Sequence, residues 1–273
     1  MGPKTFQQLV TVFGSPSDIF KANPGEIASL PRLSAEKEET IRAAGDNTDL
    51  IVGRVAEYQD RGIEMTTILE EDYPEMLLEL DNPPPLLYWR GNLDIVGQNC
   101  VAVVGSHEAS AEGIAEAVRL GKLISQTGTV VVSGLARGID SGAHVGAIQA
   151  KGRTVAVLGC GFDNIYPRDN QALVDNILAE GLLLSEYRPE TPVATGRLMA
   201  RNRLIVGLAR SVIVVEVTSG TGGTVAAISE AHNQAKSLFT CFDPNQDGVS
   251  TNNLGAIYLD GADAWKMVLR YMV

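Results

Sequence analysis

The chain has 273 residues, 45% of them hydrophobic, and a formal net charge of −11. That length suits one sizeable α/β domain with a small accessory module, and the acidic balance argues against attraction to a polyanion over the whole surface. Cys100, Cys160 and Cys241 are odd in number, scattered and without C-x-x-C spacing, so neither a disulfide framework nor a metal site is expected and a cytoplasmic location fits.

Apolar residues recur at helical spacing from Phe6 to Ala44, broken at Gly14-Ser15-Pro16-Ser17, Asn23-Pro24-Gly25 and Leu30-Pro31-Arg32. The pattern predicts a small helical domain over residues 1–45, with Ser17 and Ser34 as N-caps. Residues 46–94 read as a lead-in packed on the core. It holds a strand near Met65, a helical turn or two from Tyr73 to Leu80, a break at Asn82-Pro83-Pro84-Pro85 and a strand from Leu86 to Gly91. No apolar run approaches the roughly 20 residues that cross a bilayer, so a soluble protein with no membrane association is expected.

Over residues 95–273 the pattern becomes regular. Apolar runs at Val101–Val104, Val130–Val132, Thr154–Leu158, Leu182–Leu184, Val212–Val215 and Leu238–Thr240 alternate with helical stretches. Continuous apolar strands are what a sheet covered on both faces requires, so the fold class is α/β, a doubly wound, mainly parallel, Rossmann-like sheet.

Ligands of such sheets collect beyond the carboxyl ends of the strands. The first loop, Gly105-Ser106-His107-Glu108, lacks the Gly-x-Gly-x-x-Gly of dinucleotide enzymes. The second, Ser133-Gly134-Leu135-Ala136-Arg137-Gly138-Ile139-Asp140, offers backbone approach and a guanidinium that meets phosphate or pairs with Asp140. The third runs from Gly159 to Asn170 and brings Cys160, Phe162, Tyr166 and Arg168; its length marks it as functional, and Cys160 reads as a small buried thiol more than as a nucleophile. The fourth leads to Arg197, Arg201, Asn202 and Arg203 in a stretch from Arg188 to Arg210 whose single acid is Glu190. The fifth, Ser219-Gly220-Thr221-Gly222-Gly223-Thr224, forms an anion nest ahead of a helix but has no lysine for a Walker A loop.

The acidity is uneven: residues 1–94 carry 17 acids and 8 bases, residues 95–273 carry 16 and 14. The cationic segment of the fourth loop is therefore the first candidate for phosphate contact. In this reading Gly105, Ser106, Ser133, Gly134, Gly138, Gly222, Gly223 and Thr224 present amides or hydroxyls, Arg137, Arg168, Arg197, Arg201 and Arg203 supply charge, and His107, Asn170 and Asn202 complete the site. With few aromatics nearby, base stacking is expected to be limited.

In order, VAVVGS, VVSGLARGIDSGAH, GRTVAVLGCGFDNIYPRDN, LLSEYRP and RNRLIVGLARSVIVVE resemble the DNA-processing protein A (DprA/Smf) family over residues 65 to 262. The resemblance implies a Rossmann-like core that binds and protects single-stranded DNA and loads a RecA-type recombinase in natural transformation. It also implies a homodimer, no cofactor and no catalytic residues. The N-terminal stretch is similar to the family's sterile-alpha-motif-like or helix-hairpin-helix module, with Arg32 where a glycine is usual, and His107 stands where the family carries an arginine. The rival function is a small-nucleotide-binding or phosphoribohydrolase-like protein using Glu186 or Glu216 as its acid. A third reading is an interaction scaffold without DNA binding.

Overall fold

The computed structural model describes residues 2–218, 222–241, 255–259, 267, 268, 270 and 271. The chain divides into two compact units, one of residues 1–64 with 82–85, the other of residues 65–81 with 86–273. The helical unit therefore runs beyond residue 45, and the lead-in is shared between the two units.

The helical unit contains α1 (Pro3–Phe13), α2 (Pro16–Lys21), α3 (Ala35–Asp46) and α4 (Thr48–Asp60). Leu9, Ile19, Ala22, Ile27 and Leu33 form its small core. Ser34 caps α3 as expected, whereas α2 is capped by Ser15, its Oγ accepting from the Asp18 amide, with Pro16 taking the first helical position that Ser17 was to precede. Arg32 adopts φ +67°, so the left-handed turn that a glycine would serve is retained with a side chain in place. The Gly25 and Ala28 amides, each 2.8 Å from a Glu38 carboxylate oxygen, are occupied by this resident anion, which also accepts from Arg42. Those amide bonds hold the Glu38 carboxyl below its usual range.

Among the described residues, the other unit is built on nine strands: β1 (Glu64–Thr67), β2 (Leu86–Gly91), β3 (Cys100–Val104), β4 (Val130–Ser133), β5 (Thr154–Leu158), β6 (Leu182–Ser185), β7 (Ser211–Val214), β8 (Ser237–Thr240) and β9 (Ile257–Tyr258). Their order is β1-β2-β6-β5-β4-β3-β7-β8-β9. Every described pairing from β6 across to β9 is parallel, and β2 runs antiparallel to β6. Strand order reverses between β3 and β7, which places a switch point at the centre of the sheet.

The continuous apolar strands have a simple cause. Successive side chains point to opposite faces, and both faces are covered. Cys100, Ala102, Val104, Val132, Val157 and Val212 pack into one core with residues of α10 (Asn202–Gly207) and α11 (Gly223–Asn233). Val101, Val103, Val131 and Ile213 pack into another with α6 (Ala111–Gln126) and α7 (Ile139–Gln149). The sheet unit is completed by α5 (Glu75–Leu78), α8 (Gln171–Leu178) and α9 (Thr195–Ala200). Among the described residues no helix is long and apolar enough to cross a membrane.

Candidate nucleic-acid interface

Beyond the carboxyl ends of β3 and β7 lies a cleft of about 360 Å³, lined in part by Val104, Gly105, His107, Arg137, Leu198, Met199, Asn202, Ile205, Gly222, Gly223 and Thr224. It sits where the strand order places a ligand site.

The loops around it are fixed by a buried ion pair. Asp140, in the first turn of α7, accepts from the Gly134 and Ala136 amides at 3.2 and 3.3 Å. Its carboxylate lies 3.7 Å from Arg201, and both side chains are over nine-tenths buried. Arg201 also donates to the carbonyls of Gly134 and Val157, so one guanidinium ties the loop after β4 and the end of β5 to the junction of α9 and α10. Burial raises the Asp140 carboxyl and lowers Arg201, while each charge opposes the shift of the other.

This arrangement corrects several expectations. Arg201, expected to supply charge to a ligand, is held inside at the break between α9 and α10. Arg203 is bound to Glu186 away from the cleft, because a half-buried guanidinium takes the carboxylate within reach. Arg137 pairs with Asp169 at 2.5 Å and not with Asp140, which Arg201 already holds. Ser133 is fully buried, donating to the Val103 carbonyl, and the Gly134 amide is spent on Asp140. The Ser106 amide donates to the Glu216 carbonyl and its hydroxyl meets Thr218, so neither group is free for a ligand.

Others of the expected residues shape the site without lining it. At Gly138, φ is +69° and a Cβ would stand 2.4 Å from the Ser106 carbonyl oxygen, so the first and second loops approach only through a glycine. Asn170 donates to the Leu135 carbonyl and to Ser141, steadying Leu135 at φ +64°. Arg197 donates to the Pro192 carbonyl and lies 5.7 Å over the Tyr187 ring.

The basic side chains with solvent access near the cleft are Arg137, 60% exposed, His107, 75% exposed and 3.7 Å from Glu108, and Arg168, which is exposed, next to the lining residue Pro167, and engaged in no ion pair among the described residues. Gly222 and Gly223 are exposed at the start of α11, their loop held by the Asn202 amide 2.8 Å from the Gly223 carbonyl. The Ser219-Gly220-Thr221 part of that loop lies outside the described residues. Glu216 is engaged by Ser110 at the start of α6, and Glu186 by Arg203, so neither acid of the hydrolase reading lines the cleft. The sequence reading missed Leu198, Met199 and Ile205, whose apolar side chains line it; their one signal was their place between the arginines.

A model of the family described as DNA recombination-mediator protein A matches residues 64–265. Protein Smf of Synechocystis sp. is 34% identical over 234 residues, covering 83% of this chain, and the chain spans 58% of that relative's length. The crystal structure of DNA processing protein A from Streptococcus pneumoniae superposes with a TM-score of 0.80 at 29% identity, covering 96% of this chain and 92% of that one. The solved structure of DNA processing protein A from Helicobacter pylori, described for its single-stranded DNA binding mode, gives a TM-score of 0.68 at 26% identity, covering 76% of this chain and 96% of that one. With the family model matching residues 64–265 and a relative 34% identical over 83% of the chain, the chain belongs to the DNA recombination-mediator protein A (DprA/Smf) family.

Proposed function

We propose that the chain binds and protects single-stranded DNA at the switch-point cleft and, as a homodimer in the cytoplasm, passes the strand to a RecA-type recombinase. The observation that carries the reading is the convergence on one cleft of exposed Arg137 and His107 with the open Gly222-Gly223 start of α11, with exposed Arg168 next to the lining residue Pro167. The Helicobacter pylori relative's single-stranded DNA binding adds to it. This reading assigns binding and no catalytic residue; Glu186 and Glu216, the acids of the hydrolase alternative, are engaged by Arg203 and Ser110 and stand outside the cleft lining.

An electrophoretic shift series with single- and double-stranded oligonucleotides at two salt concentrations tests the reading. The single strand is expected to be retained more tightly than the duplex and to lose affinity steeply as salt rises. No retention of the single strand at low salt contradicts it and favours an interaction scaffold.

A further inference from the structure

The two basic side chains of the cleft lining that reach solvent each face a carboxylate that stands outside it. Arg137 has Nη2 2.5 Å from an oxygen of Asp169, which is itself 72% exposed, and His107 has Nε2 3.7 Å from Glu108. The Arg137–Asp169 pair joins the loop after β4 to the loop after β5, yet the junction does not need it. Asn170 already donates to the Leu135 carbonyl at 2.8 Å and to the Ser141 hydroxyl at 2.9 Å, and Ser141 donates to the Ala136 carbonyl. Among the described residues Arg137 is the one side chain that Asp169 engages. A pair this exposed adds little to stability, so the carboxylate acts chiefly on what approaches Arg137 from outside.

We propose that Asp169 is a specificity-determining residue: a resident counter-ion that a nucleic-acid phosphate must displace from Arg137, and that thereby disfavours duplex relative to single strand. The inference rests on the strand-binding reading. A lone phosphate that takes Arg137 from Asp169 exchanges one anion for another and leaves the carboxylate unpaired beside it, so this contact alone contributes almost nothing. A single strand recovers the loss, because it bends freely and can set further phosphates against the Gly222-Gly223 start of α11 and against Arg168. A duplex does not. It holds one negative charge per about 1.7 Å of axis in a fixed array, so a phosphate brought to Arg137 brings its neighbours toward Asp169. Repulsion against the wrong ligand is a general source of selectivity.

The test is fluorescence anisotropy on the full chain, native and Asp169→Asn, with labelled oligothymidine and a labelled duplex of equal length at low and high salt, alongside thermal denaturation. At low salt the variant is expected to bind the duplex about two- to fivefold more tightly, the size of an exposed pair, and to gain less for the single strand. The ratio of the two affinities therefore narrows, and the difference is lost at high salt. Asp169→Glu, which keeps the charge, keeps the native ratio. An unchanged ratio in Asp169→Asn overturns the role; so does weaker single-strand binding or a lowered melting temperature, either of which makes the pair a support for Arg137. A native chain that retains no single strand overturns the strand-binding reading by itself. The duplex then decides the counter-ion role, upheld by a gain in Asp169→Asn and overturned by none.

Discussion

Two arginines two positions apart, Arg201 and Arg203, look interchangeable in the sequence and have different fates. Arg201 is fixed by Asp140 and the carbonyls of Gly134 and Val157, Arg203 by Glu186. Removing one partner of a buried pair strands the other charge, at a cost of about 3–5 kcal/mol. Arg201→Ala is therefore expected to destabilise the sheet unit by that order in a urea titration, and loss of DNA binding in this variant reports unfolding before it reports contact. A stability change below about 1 kcal/mol would contradict the structural role. This distinction was illegible in the sequence because it depends on which carboxylate folds beneath the arginine. Asp140 lies three residues from Arg137 and 61 from Arg201, and only the tertiary fold shows that the distant partner wins.

At the scale of elements, the strands of the sheet were legible wherever both faces are covered, since burial on both sides leaves an unbroken apolar run such as Cys100–Val104. The antiparallel direction of β2 was not, because Leu86–Gly91 carries the same residue types whichever way it runs. Nor was the break between α9 and α10, where no proline or glycine marks the turn at Arg201. The loop after β4 meets the loop after β3 through Gly138, so Gly138→Ala combines a positive φ with a clash against Ser106. It is expected to cost at least about 1–3 kcal/mol, read as a lower denaturation midpoint; an unchanged midpoint contradicts the close approach. In α7, His144 is fully buried with Nδ1 2.6 Å from the Thr154 hydroxyl, and burial, aided by Arg201, lowers its pKa to about 3. The unfolded chain takes up this proton near pH 6.5 and the folded chain does not, so the stability is whole above pH 6.5 and declines as pH falls toward 3. The slope is at most about 1.4 kcal/mol per pH unit. Chemical denaturation between pH 7 and 4 measures it, and His144→Asn is expected to flatten that part of the profile; an identical profile contradicts the assignment.

Over the whole molecule, the net charge of −11 is carried mostly by the sheet unit, whose residues 65–81 and 86–273 hold 23 acids and 15 bases, so the proposed contact with a polyanion depends on where its cations stand and not on the charge of the unit. The acids concentrate in the first 94 residues, and in the helical unit the amides of Gly25 and Ala28 are already held by Glu38. The sheet unit places exposed Arg137 and His107 in the cleft lining, and exposed Arg168 follows the lining residue Pro167. The sequence pointed to the loops that surround the cleft, whereas the buried ion pair beneath it and its apolar lining required the fold. In the proposed complex the exposed guanidiniums of Arg137 and Arg168 contact phosphate, since exposure leaves Arg137 only weakly tied to Asp169. The direct measurement is the salt dependence of single-strand affinity for the native chain and for the double variant Arg137→Ala, Arg168→Ala. Losing two phosphate contacts is expected to weaken binding and to reduce the slope of log affinity against log salt by roughly 1.4, with thermal stability unchanged. An unaltered slope in a stably folded double variant would contradict the account.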